Sequence, residues 1–85
     1  MVEKGFNSDV SAFGGCYHIQ TEDWGMENPF LVSRVFQNGA VVKSIKTSYQ
    51  DVLPRGSHSN SKSIRLAMQL QHQKVLDLLV SGQLL

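Results

Sequence analysis

The feature that most constrains this chain is the stretch FLVSRVFQNGAVVKSIKTSY at residues 30–49, where two β-rich runs flank Asn38-Gly39. Asn-Gly suits a two-residue type I′ turn, which needs positive φ at both central positions. Such a loop sets the register: Gln37 opposes Ala40, Phe36 opposes Val41, Arg34 opposes Lys43 and Val32 opposes Ile45. One face then carries Phe30, Val32, Phe36, Val41, Ile45 and Tyr49, with Arg34 and Lys43 side by side. The other carries Leu31, Val35, Ala40 and Val42 among Ser33, Ser44 and Lys46. The first face is bulkier and is expected to form the core. The second is too apolar for an ordinary solvated face.

Upstream, CYHIQTE at residues 16–22 alternates, with Tyr17, Ile19 and Thr21 on one side and His18, Gln20 and Glu22 on the other. Period two with β-formers predicts a half-buried strand. Residues 23–29, with Gly25, Asn28 and Pro29, read as a loop from which Trp24 and Met26 can cap the core. Residues 1–15 mix Gly, Asn, Ser and Asp with isolated Val10 and Phe13 and are expected to be a flexible N-terminal segment. A Ser-, Gly- and Pro-rich linker at 51–62 contains Arg55 and His58. From about Ser61 to Val80 the period becomes helical, with Ile64, Ala67, Met68, Val75, Leu78 and Leu79 on one stripe, Gln71 in its middle and His72 at its edge. Ser61 or Ser63 can cap the start, and Gly82 stands where a glycine would end the helix. Leu66 and Leu70 lie off the stripe without an obvious cover. The expected fold is α+β: a three-stranded antiparallel sheet with one C-terminal helix on one face (β-β-β-α), as a single domain over residues 16–85.

Eighty-five residues make one domain, whose thin burial invites an oligomer or a partner as a supplement. A net charge of +1 builds no strong field for nucleic acid or an anionic membrane. One cysteine, Cys16, permits no internal disulfide. With no signal-peptide pattern and no long apolar span, a soluble protein of the reducing cytoplasm is expected.

No constellation of catalytic or metal-binding residues stands out. Cys16-x-His18 puts both groups on one strand face, but zinc wants three or four ligands and no second pair stands nearby. His18 with Glu22 and Asp23 lacks an oriented partner and a pocket. His72 reads as a boundary residue with no chemistry. No catalytic residue, cofactor or metal is therefore expected. Arg34 beside Lys43 is a pair of like charges that wants a neutralising group: Glu22, Asp23, a partner's carboxylate or a phosphate. The stronger signal is surplus apolar surface. Leu31, Val35, Val42, Leu66 and Leu70 cannot all be covered by one helix, and monomers rarely expose large apolar patches. Either residues 6–13 fold over that face or another chain does.

The motif YHIQTED at residues 17–23, the Asn28-Pro29 pair, the hairpin ending KTSY and the helix QHQKVLDLLVSGQL at 71–84 together resemble a small family of bacterial proteins of unknown function. That family has a YHxQTED opening and a QHK-like C-terminal helix, and this chain departs from it in reading QHQKVL for QHKxML. The resemblance implies a bacterial, soluble small domain and assigns no activity.

The residues point to a non-enzymatic protein-interaction or self-association module, most simply a homodimer. The alternative is a nucleic-acid-binding β-β-β-α module in which Arg34, Lys43 and Lys46, with Arg55, meet phosphates.

Overall fold

The computed structural model describes residues 4–54, 56 and 60–85, so Arg55 and His58 of the linker lie outside the described residues. The chain is α+β. Strands β1 (Phe6–Ala12), β2 (Gly15–Asp23), β3 (Phe30–Gln37) and β4 (Ala40–Ser48) form one antiparallel sheet in the order β1-β2-β3-β4. A short helix, α1 (Tyr49–Val52), and the long helix α2 (Ser61–Val80) follow.

The sheet has four strands, not three. The additional one is β1, in the segment expected to be flexible. Its alternation is hidden in the sequence because Ser8 takes an inward position among Phe6, Val10 and Ala12, opposite Ile19 of β2. Its turn is hidden too: Phe13 and Gly14 form a two-residue link with φ of 52° and 74°, and phenylalanine seldom adopts that conformation. The Asn38-Gly39 turn shows the expected pair of positive φ values, 55° and 79°.

The register of the second hairpin departs from simple counting. Gln37 faces Ala40 and Phe36 faces Val41, but Val35 then faces Lys43, leaving Val42 as the extra residue of a β-bulge. Beyond the bulge every β4 side chain is on the face opposite to the one expected, since side chains alternate with period two. Arg34 therefore faces Ser44, and Val32 faces Lys46.

The core face is also the reverse of the expected one. Pairing with β2 aligns Ile19 with Val35, Thr21 with Ser33 and Asp23 with Leu31. Leu31 and Val35, expected on a surplus surface, are completely buried. Bulk misled here because Ser33, which looks like a solvent residue, is buried through hydrogen bonds to Thr21 Oγ1 at 2.7 Å and from Gln71 Nε2 at 3.0 Å. Phe30 and Phe36 lie on the outer face, half-buried.

Helix α2 crosses the inner face, packing chiefly on β1, β2 and β3. Ile64, Ala67 and Met68 meet Leu31, Tyr49 and Leu53 at one end, while Val75 and Leu79 meet Tyr17, Ile19 and Val35 at the other. Each fully buried aliphatic side chain contributes about 1.5–3 kcal/mol. The N-cap is Asn60 rather than a serine: its Oδ1 accepts from the backbone N–H of Lys62 and Ser63. At the other end Gly82, with φ of 79°, donates to Leu79 and Gln83 donates to Leu78, which is a Schellman motif.

Candidate functional site

The inner face of the sheet is only partly roofed. Four strands at about 4.8 Å spacing make a sheet about 19 Å across, whereas a helix with side chains is about 10 Å wide. Because α2 lies over β1–β3, the inner side of β4 is left beside it. Between them runs a cavity of about 430 Å³, walled by Ile45 and Thr47 of β4, Val52 of α1, and Leu70, Lys74 and Leu78 of α2. The bulge at Val42 is what places Ile45 and Thr47 here, on the same face as Ser33 and Leu31. Leu70 is 63% exposed and Leu66, one turn earlier, 55%.

Two polar groups mark this slot. Gln71 spends its Nε2 on Ser33 Oγ and the Leu31 carbonyl, and its Oε1 is buried without a hydrogen bond from any described residue. A buried acceptor left unpaired is costly, so it wants a donor. Lys74 is the charged residue in the wall, and Lys43 extends along the same β4 face two residues before Ile45.

Of the residues expected to form an interaction surface, Leu66 and Leu70 flank or line the slot and Val42 is exposed at the bulge, while Leu31 and Val35 belong to the core. Arg34 and Lys43, expected side by side as an anion contact, are on opposite faces of the sheet. Arg34 lies on the outer face, with Nη1 3.7 Å from Glu22 Oε2 and its guanidinium 5.8 Å from the Trp24 ring centre. Lys43 is on the inner side. Lys46 joins Arg34 on the outer face, its ammonium 4.1 Å from the Phe30 ring centre and 5.1 Å from that of Trp24. The three cations of the nucleic-acid reading therefore do not share a surface.

The His18, Glu22 and Asp23 set is dispersed. His18 Nδ1 is 2.9 Å from Asp9 Oδ1 and Nε2 is 3.2 Å from Asn7 Oδ1 on the outer face. Glu22 Oε2 accepts from Trp24 Nε1 at 3.3 Å. Asp23 points inward, where its Oδ1 accepts from the Tyr49 hydroxyl and the Gly25 N–H. Cys16 is exposed, with its thiol 3.9 Å from Ser11 Oγ. A broad cleft of about 600 Å³ between the hairpin ends is bordered by Asp9, Cys16, His18 and Phe36, but it is open and shallow. Among the described residues no group of three or more His, Cys, Asp or Glu side chains could hold a metal ion.

Sequence reasoning missed the centre of the sheet–helix interface. The His72 ring nitrogens lie 2.7 Å from Thr21 Oγ1 and 2.8 Å from Ser8 Oγ, so a neutral ring donates to one hydroxyl and accepts from the other. Burial, and secondarily the charge of His18, lower the His72 pKa. Thr21, Asp23, Gln71 and His72, four residues of the YHIQTED and QH motifs, thus work in holding strand to helix. The signal available was the pairing of hydroxyls at Thr21 and Ser33 with a polar pair, Gln71-His72, inside an otherwise apolar stripe.

No family model, curated protein or solved structure matches the chain. No helix among the described residues is long and apolar enough to cross a membrane.

Proposed function

We propose that this protein is a non-enzymatic interaction module and that its docking surface is the slot between α2 and β4. The observation that carries the reading is the partial roof: α2 packs on β1–β3 and leaves the inner side of the edge strand β4 uncovered beside it. The dispersal of His18, Glu22 and Asp23 supports a binding rather than a catalytic role. The exposed free thiol of Cys16 suits a reducing compartment such as the cytoplasm, and the YHxQTED resemblance suits a bacterial source.

An anionic apolar fluorophore, anilinonaphthalene sulfonate, tests the surface. Its fluorescence is expected to rise on the native protein and to be lost in the Leu66→Glu/Leu70→Glu double variant, whose two positions are exposed on α2, with little change in thermal midpoint. No enhancement on the native protein, or enhancement that persists in the double variant, would contradict the reading.

A further inference from the structure

We infer that the occupant of the slot is an acidic amphipathic helix supplied by another protein. The inference rests on the docking surface proposed above and adds its partner's chemistry. Two observations carry it.

The first is shape. A second helix packed beside α2 at the usual interaxial distance of about 8–10 Å would have its axis over the uncovered strand β4. An added β-strand is the other way to use an edge, but β4 is guarded against it. A β-bulge at Val42 and an inward-facing cation at Lys43 are devices that discourage strand addition. The apolar wall of Ile45, Val52, Leu70 and Leu78 is what an amphipathic helix with anchors at i, i+3, i+4 and i+7 would bury.

The second is charge. Lys74 is in the wall and Lys43 stands on the same side of β4, and among the described residues no Asp or Glu lines the slot. Carboxylates flanking the partner's apolar stripe would meet both ammonium groups. A second copy of this chain fits less well. The exposed stripe of α2 offers Lys62, Leu66, Leu70 and Lys74 against the single acid Asp77, so its cations would approach Lys43 and Lys74.

Three designed peptides test the inference by displacement of the fluorophore from the native protein: an amphipathic helix with Leu anchors and flanking Glu, the same helix with Lys for Glu, and the Glu peptide with a central Pro. The Glu peptide is expected to bind roughly tenfold tighter than the Lys peptide at low salt, as two rim charge pairs reversed from attraction to repulsion imply. The preference should shrink at high salt and invert in the Lys43→Glu/Lys74→Glu variant. The Pro peptide should bind far more weakly. Equal binding of the Glu and Lys peptides, or of the Pro peptide, would overturn the acidic-helix assignment while leaving the docking surface standing. A dimer in sedimentation that excludes the peptides would assign the slot to a second copy instead. Failure of the fluorophore to bind at all would instead remove the docking surface itself.

Discussion

Val35 faces Lys43 across the β3–β4 ladder, one residue further along than the Asn38-Gly39 turn would place it. That single displacement, made at Val42, puts Ile45 and Thr47 on the helix side of the sheet and Lys46 on the opposite side against Trp24 and Phe30. Deleting Val42 should therefore force β4 to choose between its turn and its faces. The expected result is a loss of about 1–3 kcal/mol in urea-unfolding stability, the cost of burying Lys46 or unpairing the ladder. A deletion variant as stable as the native chain would show that the bulge is not needed.

The His72 contacts predict a pH dependence whose sign follows from burial. The folded pKa is lowered, so the unfolded chain binds the proton more readily. Stability is then full above the unfolded value of 6.5, and it falls as pH drops from there toward the lowered folded pKa. The urea midpoint should decline as pH falls below 6.5, and less steeply in His72→Gln. An equal decline in that variant would assign the effect elsewhere. Independently of pH, His72→Ala should cost about 1–3 kcal/mol, because it leaves the Ser8 and Thr21 hydroxyls short of a partner.

Phe13 carries a positive φ of 52° in the β1–β2 turn, with its side chain largely exposed. Phe13→Asn should stabilise the protein by about 0.5–1 kcal/mol, read as a higher thermal midpoint, since asparagine tolerates this conformation. A lower midpoint would mean that the ring's contacts outweigh the backbone strain.

At the start of β1 the backbone passes so close to β2 that a Cβ on Gly5 would lie 2.3 Å from the Thr21 carbonyl oxygen. Gly5→Ala must therefore displace β1 or β2, both backbone elements. Amide exchange across β1 should accelerate markedly in that variant; protection equal to that of the native chain would contradict the close approach.

Much of the fold was legible because it depends on local chemistry. The Asn38-Gly39 turn, the alternation around Tyr17, Ile19 and Thr21, and the 3.6-residue stripe from Ile64 to Leu79 all announce themselves within a few residues. What was not legible depends on long-range pairing. Nothing local marks Val42 as the bulged residue, and nothing local says that Ser33 is buried until Thr21 and Gln71 are brought to it. β1 was hidden by its polar inward residue, Ser8, and by a Phe-Gly turn that carries no usual hairpin signal. The candidate site shared this fate. Leu66 and Leu70 were visible as helix residues off the apolar stripe. Ile45 and Thr47 could join them only once the bulge had turned β4 over.

The most direct test of this arrangement is thiol reactivity in a Cys16→Ser background. Separate variants Ile45→Cys, Val35→Cys and Phe36→Cys would be labelled with a maleimide under native conditions. The open slot and the bulged register predict fast labelling at position 45, ready labelling at 36, and protection at 35 down to the rate of global unfolding. Slow labelling at 45 would mean that the slot is closed. Protection at 36 with fast labelling at 35 would mean that the sheet faces are reversed and the account is wrong.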